Sequence, residues 1–124
     1  MISLPATFAA THATAGLDGF PARDFFGSPR DLVRGEFYGR VSRISGKAPS
    51  LGGTPGGAYG RSVYISNDET GTIRYLTHLD ELAVAVGDRV KPGSIIGTVC
   101  DARVSGKPGT THVHYGLRRS FRVP

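Results

Sequence analysis

Apolar side chains along this chain recur at every second position or in short runs, and glycine and proline break them up. Residues 32–44 (LVRGEFYGRVSRI) alternate apolar and polar positions, with Phe37, Val41 and Ile44 on one side and a break at Gly35. Successive side chains of a strand point to opposite faces, so this alternation predicts half-buried strands. Residues 61–67 (RSVYISN) and 72–79 (TIRYLTHL) are two β-rich runs around Asp68-Glu69-Thr70-Gly71, the signature of a hairpin. Further on, the segments AVAV, RVK and SIIGTV, reaching Val99, are separated by turns at Gly87-Asp88 and Pro92-Gly93. A helical stripe of useful length and a repeat of fixed period are both absent from the sequence. The expected fold is therefore all-β, mostly antiparallel sheets of short strands with long loops. Residues 1–19 keep no period and read as an extended N-terminal arm, while 45–60 (SGKAPSLGGTPGGAYG) reads as a long loop that either borders a binding site or is a flexible surface insertion, and 101–109 as another glycine-bearing loop.

Composition narrows the class. A chain of 124 residues suits one domain spanning 1–124, and 39% hydrophobic residues exclude a disordered composition. Cys100 is the only cysteine, which excludes an internal disulfide framework and a multi-thiolate zinc site, so a metal would have to be held by histidine and carboxylate. The net charge of +5 would suit a polyanionic partner. The basic residues are scattered, however, and the aromatics do not interleave with them as a stacking platform requires, so no nucleic-acid partner is expected and a solvated basic surface accounts for the charge. No run approaches the roughly 18 apolar residues of a membrane span. Met1-Ile2-Ser3-Leu4-Pro5 lacks the basic start and apolar stretch of a secretion signal.

Candidate chemistry gathers on four histidines, His12, His78, His112 and His114. In a strand, His112 and His114 would project side by side, which is either half a metal site or a pair of half-exposed strand imidazoles. Asp24 lies in FPARDFFGSP among Phe20, Phe25 and Phe26, and an acid so placed is either a turn aspartate capping local amides or a functional group. Tyr75 and Tyr115 read as packing residues of their strands, with phenolic assistance in a site as the second reading.

Taken in order, Asp24, Thr77-His78-Leu79, residues 87–97 (GDRVKPGSIIG) and His112-Val113-His114 resemble the lysostaphin-type zinc endopeptidases, over about residues 12–117. The resemblance implies a cell-wall peptidoglycan hydrolase with Asp24 and His114 as zinc ligands and with His78 and His112 as catalytic residues flanking the attacking water. The family's usual remaining ligand is a histidine four residues before the aspartate, and here that position is Phe20. Because a catalytic zinc keeps three protein ligands and leaves one position open, His12 in the preceding segment is the candidate that completes the set. The alternative is a catalytically degenerate domain with a structural or wall-binding role, for example in a phage tail tip. The expected partners are a peptidoglycan peptide and, on the phage reading, virion or tail proteins. With no signal peptide visible, action outside the cell at the wall implies a virion-borne protein, release by lysis, or a domain excised from a larger protein. Residues 87–97 also resemble half of a biotinyl or lipoyl carrier domain, but Lys47, Lys91 and Lys107 lack the flanking residues of a modified lysine.

Overall fold

In the computed structural model, which describes residues 1–7, 22–46, 60–101 and 111–119, every regular element is a strand. They are β1 (Ile2–Leu4), β2 (Ala22–Phe26), β3 (Leu32–Gly35), β4 (Gly39–Ser45), β5 (Arg61–Asn67), β6 (Thr72–Leu82), β7 (Arg89–Val90), β8 (Ser94–Val99) and β9 (His112–Arg119). All pair in one nine-stranded sheet in the order β1-β3-β8-β6-β5-β4-β7, with β9 between β6 and β2. Only β1 and β3 run parallel, so the all-β, mostly antiparallel expectation holds. His12, Phe20, Lys47, Lys107 and the greater part of both expected loops lie outside the described residues.

Most strands follow the alternation. The break at Gly35 separates β3 from β4; Phe37 and Val41 are buried, while Ile44 packs against the core from its rim. The hairpin joins β5 to β6, and its turn is held by the Asn67 side-chain oxygen, which accepts from the amides of Glu69 and Thr70 at 3.0 and 3.4 Å. β6 runs three residues past the expected Leu79.

Three segments differ from the sequence expectation. The start of the expected arm is not free: Ile2 and Leu4 of β1 are buried beside β3. AVAV forms no strand, because its backbone is taken up by other partners: Ala83 N–H donates to Ile96 O at 2.8 Å, Ala85 N–H to the Asp88 carboxylate at 2.9 Å, and Gly87 N–H to Val41 O at 2.8 Å. Asp24 sits in β2 rather than in a turn, since its segment is paired along its length with β9.

The core gathers Leu4, Val33, Phe37, Val41, Ile65, Leu76, Val99, Val113 and Tyr115 with their neighbours, drawn from strands at both ends of the sheet order. The sheet therefore curls so that one face closes on itself and the other remains available. β6 makes this possible by changing partner along its length. Residues 72–77 pair with β9, whereas Leu79 and Leu82 pair with β8. His78 stands at the handover with a left-handed φ of 73°, and its carbonyl accepts the Cys100 amide at 2.8 Å.

Candidate metal centre

The alternation of β9 divides its side chains between the two faces. Val113 and Tyr115 are fully buried, while His112 and His114 point to the open face with about a fifth of each side chain exposed. Tyr115 anchors the strand: its ring stacks on Phe37 at 5.8 Å, its hydroxyl donates to Pro5 O at 2.8 Å, and it accepts from the Arg74 guanidinium at 2.6 Å. Two hydrogen bonds at the end of a buried ring fix the height of β9, and hence of the histidines either side of it. Of its two sequence readings, Tyr115 takes the packing one.

Antiparallel register then builds the cluster. Asp24 lies directly opposite His114, and Phe26 opposite His112. On the other side of β9, Thr77 lies opposite His114. Asp24 Oδ1 is 3.0 Å from His114 Nδ1 and 3.8 Å from His112 Nε2. The His78 ring stands edge-on to His112 at 5.0 Å and reaches His114 at 6.5 Å. Phe26, 63% exposed, flanks His112 at 5.7 Å and gives the open side of the cluster an apolar wall. The acid among aromatics thus has its reason: its carboxylate faces two imidazoles across a strand pair.

Tyr75 closes the remaining side. It is 6% exposed, and its hydroxyl lies 3.3 Å from His114 Nε2. Burial pushes this phenol above its ordinary value, against the lowering effect of Arg118, so it is held as a neutral hydroxyl.

Of the five site residues expected from the sequence, the structure brings together Asp24, His78, His112 and His114; His12 is outside the described residues. The donor chemistry suits a borderline cation, since a carboxylate oxygen and an imidazole nitrogen are zinc's ordinary N/O ligands. Two donors converge at Asp24 and His114, and among the described residues no group of three or more His, Cys, Asp or Glu is arranged to hold a metal. Thr77 and Phe26 appear in the sequence motifs without a role of their own, because only cross-strand register places them beside the imidazoles. A groove of about 1080 Å³ lies elsewhere on the sheet, lined by Tyr38, Arg40, Ser66, Ile73 and Arg89 among others. No helix of the described residues is long and apolar enough to cross a membrane.

Residues 22–122 match peptidase family M23. No curated protein matches the chain by sequence. Solved structures do resemble it. The deep-sea M23 metalloprotease pseudoalterin superposes with a TM-score of 0.62 at 19% identity, over 91% of this chain and 62% of its own. A prophage-encoded M23 catalytic domain, EnpA of Enterococcus faecalis, gives 0.62 at 23%, over 90% and 78%. The catalytic domain of lysostaphin from Staphylococcus simulans gives 0.60 at 22%, over 81% and 67%. At these identities the likeness establishes a lysostaphin-like fold, and the chain spans less than two thirds of pseudoalterin.

Proposed function

The chain belongs to peptidase family M23, and from that premise we propose that it hydrolyses peptide bonds of bacterial peptidoglycan with the help of a zinc ion. The observation that carries the reading is the Asp24–His114 pair with His78 and His112 ranged beside it. Asp24 and His114 would hold the ion, with His12 as third ligand. When bound, zinc supplies Lewis acidity, which polarises a carbonyl and lowers the pKa of a water towards roughly 7.

The protein's own groups handle the protons. His78 and His112 stand edge to face, both on the open side of the cluster, so two imidazoles can serve one reaction. One imidazole takes the proton of the attacking water as the new C–O bond forms, and the other delivers a proton to the amide nitrogen as the C–N bond breaks. Phe26 packs against His112 and gives a substrate an apolar surface beside the cluster. The open face of the sheet can receive an extended peptide. Ile73 and Ser66, paired across β6 and β5, share that face with Tyr75, Thr77 and His114 and also line the groove, so a strand-like substrate has a continuous floor. Such a protein acts outside the cell, at the wall, and virion or tail proteins would be its partners if phage-borne.

A second reading keeps one specific observation on its side. Phe20 occupies the position four residues before Asp24 where the resemblance calls for a ligand, which favours a degenerate domain with a structural or wall-binding role. Metal analysis of the purified protein separates the two. The peptidase reading expects about one equivalent of zinc in the wild type and less than about a tenth in His114→Ala. It further expects that peptidoglycan suspensions are cleared by the wild type and not by that variant. A wild type that binds no zinc on titration at neutral pH sinks the enzyme reading. Unchanged zinc in His12→Ala removes His12 from the site.

A further inference from the structure

We propose that Tyr75 is a positioning residue: its phenol partners Nε2 of His114 in either tautomer and so holds the imidazole in the orientation that turns Nδ1 towards Asp24, where a cation would bind. The proposal builds on the zinc reading above.

Its ground is that one ring is gripped at both nitrogens. Nδ1 of His114 lies 3.0 Å from Asp24 Oδ1, and Nε2 lies 3.3 Å from the Tyr75 hydroxyl. These partners come from strands on opposite sides of β9, so turning the ring over would lose both contacts.

Tyr75 reaches His114 because of what is missing beneath it. Gly116 is its direct partner across β6 and β9, and a Cβ there would overlap the Tyr75 ring and hydroxyl. Without one, the ring lies down over β9 and its hydroxyl arrives at the imidazole two residues along the same face. Arg118, two residues the other way, covers the ring at 4.8 Å, and Tyr64 flanks it at 6.3 Å. The phenol is therefore boxed into its position by three neighbours.

A hydroxyl is also the group the task requires. With no cation present, Nδ1–H can donate to Asp24 while the phenol O–H donates to Nε2. With a cation on Nδ1, the ring proton must sit on Nε2, and the same phenol turns to accept it. A phenylalanine serves neither state. Metal-binding imidazoles generally donate their second N–H to such a partner, whose loss costs about 10- to 100-fold in affinity.

Two variants test this. Tyr75→Phe keeps the ring over Gly116 and under Arg118 and removes one oxygen. Gly116→Ala keeps the phenol but evicts it from its place. Zinc affinity would be measured by competition with a chromogenic chelator, and the hydrogen bonding of the His114 ring in the metal-free protein from its ring ¹⁵N shifts, with His112 as internal reference and thermal unfolding as the check on folding. Both variants are expected to weaken zinc about 10- to 100-fold and to move the His114 shifts. If Gly116→Ala does not fold, Tyr75→Phe decides. Zinc affinity in Tyr75→Phe within about twofold of wild type, or His114 shifts unchanged, overturns the proposal. If the wild type takes no zinc, the zinc reading has failed, and the metal-free shifts alone judge Tyr75: moved shifts support it and unmoved shifts overturn it.

Discussion

His78 brings its imidazole to the cluster on a backbone that most residues avoid. A φ of 73° places its Cβ against its own carbonyl, at a cost of roughly 1–2 kcal/mol that glycine would not incur. The Cys100 amide on its carbonyl and the change of strand partner around it hold the conformation in place. A comparison isolates this strain. His78→Ala and His78→Gly both lose the imidazole, but the glycine variant is expected to be the more stable by about 1 kcal/mol in chemical denaturation, after allowing for its looser unfolded chain. Equal stabilities would mean the backbone at 78 is unstrained. The chemistry-bearing residues were legible in the sequence because imidazoles and a carboxylate among aromatics are conspicuous. The conformation of His78 was not, since it follows from which strands meet at that point. The hold of Tyr75 on His114 was equally hidden, because it depends on the bare Gly116 across the strand.

At the scale of elements, the strand pairs that set the site leave little room for adjustment. β6 and β8 approach so closely past His78 that a Cβ on Gly97 would overlap the backbone oxygen of Glu81. Backbone cannot move aside as a flexible side chain can. Gly97→Ala is accordingly expected to cost about 2 kcal/mol or more and to open the β6–β8 seam, read as a lower denaturation midpoint with faster amide exchange at Leu82 and Val99. A loss below about 0.5 kcal/mol would show the seam to be compliant. The β5–β6 hairpin could be read from the sequence because its information is local: alternation on both sides and a turn whose Asn67 caps its own backbone. The β2 strand could not, because Pro21 and Pro29 suggest a turn and only pairing with β9 overrides them. AVAV misled in the opposite direction, its alternation outcompeted by the Asp88 side chain.

For the whole molecule, two buried acids tie stability to alkaline pH. Burial, with Asp80 and Asp101 adding to it, pushes the Cys100 thiol from 9.0 to about 11. Burial also pushes the Tyr115 phenol from 10.0 to about 12, against the lowering by Arg74. Both folded values lie above the unfolded ones, so the unfolded chain gives up these protons first. Their contribution is complete below about pH 9 and drains away as pH rises towards 11 and 12. Thermal midpoints are expected to be level near pH 8 and to fall between pH 9 and 11; a flat midpoint across that window would contradict the burial of both groups. The all-β class was legible from periodicity, whereas the exchange of partners along β6 was not, because partner choice rests on contacts far apart in the chain. The same remoteness governs how the site comes into being. Asp24 and His114 are separated by 90 residues, and β9, the last described strand to be synthesised, is the one that enters between β2 and β6. Without β9, β2 has no strand partner among the described residues and Asp24 loses both imidazoles of that strand. β9 alone joins the carboxylate on β2 to the imidazole on β6, so any hydrolytic power this fold has depends on that one strand being docked.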